Sequence, residues 1–474
     1  MNSRFSYLLK NTGLLLIGSF SSKILVFFLV PLYTSVLSTE EYGIFDLLDT
    51  TMLLIYPILT LNIIDGVMRF SLDNNYKKNE VFTIGIKYIF ISIALIFIVL
   101  INLNLIFKYD YLKSYSMNFV LLYISYSFYQ LLIQFTRGLD EIKKISIAGV
   151  ISTIVMIFSN VMFLLFMNLK LNGYFYAYIL SYFIPSIYLF IKCKLWQYFA
   201  IGSMRLSVSK NEVDMLKYSI PMIFTTIGWY INSVSDRYVV TLFCGFSANG
   251  LYSVAYKIPS ILVSLQTIFI QAWQLSAIKE ISSEDKTKFY NQMYEICQFV
   301  MVFSCSLLII LTKLLAKLLF SNDFFEAWYY VPFLLLYCVF NTLSGVLGGI
   351  FAAVKDTRIF AKTAIIGAIL NIVLNVLLVY KFGAIGAVVA TVVSSIVIWF
   401  QRIQCSNQYI HWEFNKTRHY FEYILLLIQA LIIMKVSASS AYIMEFIVLI
   451  ILLVINKEKI NQLKKYLIGR WLKK

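Results

Sequence analysis

Apolar stretches of about twenty residues or more recur along almost the whole chain, separated by short polar segments. Each is long enough to cross a hydrocarbon core about 30 Å thick at about 1.5 Å of rise per residue. The pattern predicts fourteen membrane-spanning helices: 11–37, 42–68, 82–107, 115–137, 145–168, 172–194, 214–243, 248–275, 291–312, 326–351, 360–380, 384–404, 419–436 and 439–456. The first is too long for the core of a signal peptide and lacks a clear small-residue cleavage site, so it reads as a retained span. The longest connection, between the sixth and seventh spans, holds about twenty residues, too few for a domain. The expected fold class is all-α and polytopic, with the work done inside the bilayer.

Composition and charge sharpen this picture. Apolar residues make up 60% of the chain and charged residues 14%, well away from the balance of a soluble domain. A net charge of +16 raises nucleic acid as a partner, but the distribution points elsewhere. With the N-terminus in the cytoplasm, 29 of the 40 Lys and Arg residues fall at cytoplasmic ends and loops and 7 at outer ones. Four more, Lys23, Lys87, Arg237 and Lys257, fall within spans. This is the positive-inside bias, and it places both termini in the cytoplasm. The partners of the basic excess are then anionic membrane lipids, not nucleic acid. The six cysteines show no CxxC spacing and read as small buried hydrophobes. His411 and His419 share one loop, and no HExxH, Walker or GxSxG motif occurs. No metal or other cofactor is expected.

Two halves look related. LSTEEYGIFDL (37–47) parallels CGFSANGLYSV (244–254), pairing Gly43 with Gly250 and Phe45 with Tyr252. LNGYFYAYILS (171–181) parallels AIGAVVATVVS (384–394), pairing Gly173 with Gly386, Ala177 with Ala390 and Ser181 with Ser394. Both copies start on the same side of the membrane, which makes a parallel repeat. The organisation that follows is an N-terminal lobe at 1–194, a cytoplasmic linker at 195–213, a C-terminal lobe at 214–404, and a further pair of spans with a basic tail at 405–474. All six prolines fall inside spans. Each removes an intrahelical hydrogen bond, and Pro31, Pro57, Pro221 and Pro259, in the first two spans of each half, read as hinges.

The charges within spans carry the functional signal. Lys23 lies roughly 17 Å from either end of the first span, too deep to snorkel comfortably. A lysine so placed calls for a wet cavity or a fixed anion. The seventh span carries INSVSDRYVV (231–240), with Asn232 and Asp236 on one face and Ser233 and Arg237 on the next. Lys257 follows in the eighth span, where an ion pair with Asp236 is the bland alternative. The second span adds Asp46 and Asp49 at one end and Asn62, Asp65 and Arg69 along a stripe at the other. Arg69 and Lys87 are within snorkelling reach of the cytoplasm and read equally as interfacial anchors. Lysine and arginine are the usual partners of phosphate, so the cargo is expected to be anionic. A carboxylate such as Asp65 or Asp236 is a candidate to carry a proton or sodium ion.

The chain resembles the Wzx-like oligosaccharide flippases of the multidrug/oligosaccharidyl-lipid/polysaccharide (MOP) exporter superfamily over nearly its whole length. The likeness is clearest in SSKILVFFLVPLYTSVLSTEEYGIFDL (21–47), SDRYVVTLFCGFSANGLYSVAYKI (235–258) and NIVLNVLLVYKFGAIGAVVATVVS (371–394). The resemblance implies two six-helix lobes plus an extra pair of helices. It also implies transport of undecaprenyl-pyrophosphate-linked oligosaccharide for O-antigen, capsule or a similar glycan from the cytoplasmic to the outer leaflet of a bacterial inner membrane. By position, Lys23, Arg237 and Lys257 become candidates for diphosphate contact, with Asp236 orienting Arg237. Asn371 and Asn375, four apart on one helix face, become candidates for sugar hydroxyls, with helix packing the equal alternative. A drug exporter of the same fold would favour acidic and aromatic sites for cations. A membrane glycan polymerase would need a larger outer loop than 313–325, whose acids end with Asp323.

Overall fold

The structure is a computed structural model that describes residues 27–106, 110–199, 209–281, 284–354, 356–435, 438–457 and 459. Its helices in chain order are α1 (Val30–Val36), α2 (Thr39–Leu59), α3 (Ile63–Ser71), α4 (Lys78–Ile106), α5 (Asp110–Gly138), α6 (Ile142–Asn160), α7 (Lys170–Lys192) and α8 (Lys210–Ala255). They continue with α9 (Pro259–Glu280), α10 (Lys286–Leu319), α11 (Val331–Ala353), α12 (Thr357–Phe382), α13 (Ala384–Ser406), α14 (Lys416–Lys435) and α15 (Ala438–Ile455). Among the described residues, 11 helices are long and apolar enough to cross a membrane. The expected all-α polytopic class is the observed one. The second predicted span is divided between α2 and α3, and most of the first lies outside the described residues.

The spans are entered and broken for identifiable reasons. Ser38 caps α2 by accepting from the Glu41 backbone N–H at 3.1 Å, while the Glu41 carboxylate accepts from the Ser38 N–H at 2.9 Å, a reciprocal capping box. Downstream of Pro57 the helix stops. Leu61 and Asn62 take left-handed φ of 50° and 49°, and the Asn62 N–H reaches back to the Pro57 carbonyl at 2.8 Å. A left-handed leucine costs about 1–2 kcal/mol, so this break is held by its surroundings. Pro31 and Pro259 lie in the first turns of α1 and α9, where a missing N–H is no loss. The irregular turns immediately before them, at 28–29 and 256–258, are the interruptions. By contrast, α8 runs through Pro221 without a break.

The one long helix, α8, is two arms. Gly245 has φ +84° and ψ 176°, a conformation open to glycine and strained for other residues. Tyr252 donates to Asp236 at 2.7 Å, although sixteen residues of unbroken helix would hold them roughly 24 Å apart. The chain therefore doubles back at Gly245, where the pattern of spans puts the seventh connection. One apolar window, Val234–Ala255, includes this reversal and so divides between both arms.

The chain divides into two compact units, Met1–Ser235 and Asp236–Lys474. The boundary falls inside α8, beyond the 195–213 linker read from the sequence. The first arm of α8 is tied to the first unit by polar contacts. Glu212 accepts from Lys87 Nζ at 2.9 Å and from the Tyr88 hydroxyl at 2.8 Å. Tyr76 donates to Asp214 at 3.2 Å, and Asn211 donates to Glu80 at 2.6 Å. In the first unit α6 packs on α7 and α5 on α7; in the second, α12 packs on α13 and α11 on both α9 and α13. Gly173 and Gly386, paired in the sequence, each sit at a close approach. A Cβ on Gly173 would lie 3.0 Å from those of Leu169 and Phe163, and one on Gly386 would lie 2.3 Å from the Leu378 carbonyl oxygen. Apolar stripes such as Ile365, Ile369, Leu377 and Tyr380 on α12 remain exposed, as lipid-facing positions do.

Candidate functional site

A buried polar centre of the second unit surrounds Asp236, 3% exposed. Its Oδ2 accepts from the Tyr252 hydroxyl at 2.7 Å and from Thr391 Oγ1 at 2.6 Å, and its Oδ1 accepts from the Asn375 amide. The Asn375 amide also donates to Asn371 Oδ1 at 2.9 Å, and the Asn371 amide to Thr391 Oγ1 at 3.4 Å. Both asparagines are buried, at 3% and 0% exposure, and Asn375 Oδ1 has no hydrogen-bond partner. Two hydroxyls and an amide N–H thus converge on one carboxylate from α8, α12 and α13. A carboxylate buried at membrane depth among such partners is a candidate to carry a proton or a small cation.

The sequence-predicted residues fall as follows. Asp236, Asn371 and Asn375 are brought together, with hydroxyl and amide partners on the carboxylate in place of Lys257. Arg237, next in the chain, is half-buried. Lys257 is half-buried in the irregular turn ahead of Pro259, where its N–H donates to the Val254 carbonyl at 2.9 Å. Lys23 lies outside the described residues. The sequence reading did not single out Thr391, and it singled out Tyr252 only as a repeat mate of Phe45. The same repeat pairs Thr391 with Tyr178, and that exchange of an aromatic side chain for a short one was the available signal.

In the first unit, the break after α2 opens a cavity of about 120 Å³. Asn62 and Asp65 border it at the restart of the helix, with the Asn62 amide donating to Asp65 Oδ2 at 2.9 Å. Gln130 and Gln134, one turn apart on α5, face it from another side, with Tyr56, Tyr126 and Thr226 completing the polar wall. Neither glutamine was anticipated from the sequence, although their i,i+4 spacing is visible there.

Two further clusters brace the helix ends. Lys87, readable from sequence as an interfacial anchor, is instead the buried partner of Glu212, the side chains being 12% and 3% exposed. At the start of α10, Glu295 receives Arg418 at 2.8 Å, has His419 Nε2 at 3.0 Å and pairs with Lys459. Lys459 also donates to Gln298 Oε1 at 3.1 Å, and Gln298 and Asn456 both donate to the fully buried Glu422. Arg402, 6% exposed, donates to Thr363 Oγ1 and the Ser344 carbonyl, each at 3.0 Å, and stacks on Phe360. In the loop beyond α13, Tyr409 donates to Asp356 at 2.7 Å. That carboxylate raises the Tyr409 hydroxyl above its ordinary range. All six cysteines are free, and among the described residues no His, Cys, Asp and Glu group could hold a metal ion.

Comparisons with known proteins agree with this architecture. The chain is 25% identical over 190 residues to the probable low-salt glycan biosynthesis flippase Agl15 of Haloferax volcanii, an alignment covering 39% of the chain and 40% of that relative. Its fold matches a lipid II flippase MurJ in an inward closed conformation, with TM-score 0.66 and 15% identity over 94% of this chain and 99% of that one. It also matches an inward-facing multidrug resistance MATE transporter of the MOP superfamily, with TM-score 0.61 and 14% identity over 81% and 94% of the two chains. These structures share the fold. Residues 8–274, more than half the chain, match the family described as polysaccharide biosynthesis protein, and the chain belongs to that family, as a multi-pass membrane protein with the fold of the MOP transporters.

Proposed function

We propose that this protein flips undecaprenyl-pyrophosphate-linked oligosaccharide repeat units, for O-antigen, capsule or a similar surface glycan, from the cytoplasmic to the outer leaflet. The observation that carries the reading is membership of the polysaccharide biosynthesis family by a chain that takes an exporter fold along nearly its whole length. The setting is a bacterial inner membrane with both termini cytoplasmic, in keeping with the bias of basic residues. Anionic lipids hold the basic loops, and other glycan-assembly proteins deliver and consume the substrate.

In this reading Lys23, Arg237 and Lys257 contact the diphosphate, and alternating access exposes it to each side in turn. The spans bend at the interruptions beside Pro31 and Pro259 and at the break after Pro57, while Pro221, inside continuous helix, is the fourth hinge candidate. Of the two candidate carboxylates, Asp236 is the coupling-ion site. Its burial and the unpartnered Asn375 Oδ1 beside it suit a sodium ion or a proton. Asn371 and Asn375 then serve the ion, since their amides are already committed around Asp236.

The test is surface glycan and lipid-linked intermediate analysis in a strain lacking the protein. Loss of the surface polymer, with lipid-linked repeat units accumulating on the cytoplasmic face, is the expected result. An unchanged glycan profile would refute it and favour small-molecule export by the same fold. Within a complemented strain, Lys23→Ala should abolish glycan display at normal protein levels, while Lys23→Arg should retain part of it.

A further inference from the structure

The cavity beside the α2–α3 break differs in chemistry from the cationic positions assigned to the diphosphate. Its polar wall has amides, a carboxylate, a threonine hydroxyl and tyrosines, and among the described residues no lysine or arginine borders it. A site for phosphate calls for basic groups or helix-end N–H donors, and a site for a lipophilic drug calls for a mostly apolar lining. Neither fits. Planar amides that donate and accept side by side, next to a carboxylate, fit the paired donor and acceptor character of vicinal hydroxyls.

Three features say that this wall is built for a ligand. Gln130 and Gln134 are one turn apart on α5, so their amides project to the same side. Asn62 and Asp65 are presented by a helix restart that requires left-handed backbone at Leu61 and Asn62, and strain of this kind concentrates at functional sites. Gln134 Oε1 is buried without a hydrogen-bond partner, an acceptor left open for an O–H from outside the protein. The Tyr56 and Tyr126 rings meet edge to face, with centroids 5.1 Å apart and planes at 79°. A volume of about 120 Å³ admits one sugar ring rather than a chain of them.

We propose that this cavity is a monosaccharide subsite, taking one neutral sugar unit of the lipid-linked cargo, with Gln134 accepting and Gln130 and Asp65 bracketing its vicinal hydroxyls. The proposal rests on the flippase reading and assigns Asp65 to sugar recognition, leaving ion carriage to Asp236.

The test uses the full chain in lipid nanodiscs and two probes. One is lipid-linked oligosaccharide extracted from the host strain, and the other is undecaprenyl pyrophosphate bearing no sugar. Wild type should bind the sugar-bearing lipid at least about ten-fold more tightly. Gln134→Leu should remove most of that preference without weakening binding of the sugar-free lipid. The milder Gln134→Glu and Gln130→Leu should each lose part of it, and they keep the test sharp if the first variant folds poorly. Equal binding of both lipids by wild type, or an undiminished preference in all three variants, would overturn the subsite and leave the flippase reading standing. Failure of wild type to bind either lipid would overturn both.

Discussion

Replacing Lys87 by methionine removes one ammonium and keeps much of the aliphatic stem. In the native structure Glu212 receives Lys87 Nζ at 2.9 and 3.0 Å and the Tyr88 hydroxyl at 2.8 Å. With the two side chains only 12% and 3% exposed, Glu212 cannot turn to solvent once the lysine is gone. Breaking a buried pair from one side costs about 3–5 kcal/mol. Two features lower that figure here. Tyr88 remains as a donor, and Glu212 lies in the first turn of α8, where the helix dipole stabilises a carboxylate by about 0.3–1 kcal/mol. The net expectation for Lys87→Met is about 2–3 kcal/mol. Glu212→Gln should cost less, because a neutral amide still accepts from Tyr88. The double variant should be more stable than the sum of the singles by roughly 1–2 kcal/mol. Thermal unfolding of the purified protein in one fixed detergent, followed by intrinsic fluorescence, gives the four midpoints of the cycle. Additive shifts, or a Lys87→Met midpoint equal to wild type, would refute the claim that this pair holds the first arm of α8 to its unit.

Three further outcomes are expected. Asp236→Asn keeps the volume of the side chain but removes its charge, so a sodium- or pH-induced rise in thermal midpoint seen for wild type should disappear; a persisting response would refute the ion assignment. Gly386→Ala should destabilise more than Gly173→Ala, because its new Cβ would meet a backbone oxygen at 2.3 Å while that of Gly173 meets side-chain carbons at 3.0 Å. Overpacking of this kind costs about 1–3 kcal/mol, and equal accumulation and melting of the two variants would contradict the ranking. Arg402→Lys should cost roughly 2–3 kcal/mol, since a lysine cannot reproduce the fork that reaches Thr363 and Ser344 together; an unchanged melting midpoint would count against that role.

The apolar spans and the connection that contains Gly245 were legible in the sequence because each is local. An apolar run needs no partner to be recognised, and a glycine between two spans marks its own turn. The candidate site was legible only in part. Asp236, Asn371 and Asn375 stand out singly as polar groups in apolar spans, but their union depends on the return of α12 and α13 to α8, across a separation of 139 residues for Asn375 and Asp236. Lys87 illustrates the same limit. Alone it resembles a snorkelling anchor, and its partner Glu212 is 125 residues away in what read as a linker. The cavity glutamines were hidden because two amides in a tyrosine-rich span carry no charge to draw attention.

The cluster at the start of α10 also has a history in time. Glu295 meets Arg418 and His419 only when α14 has been made, and Lys459 only after α15. At about 5–20 residues per second, the roughly 160 residues between Glu295 and Lys459 take about 8–30 s to synthesise. Through that interval the nascent chain holds a carboxylate whose cations do not yet exist. A polypeptide halted before α14 therefore keeps an uncompensated charge at the base of α10, and the last pair of helices completes the electrostatics of a segment translated long before it.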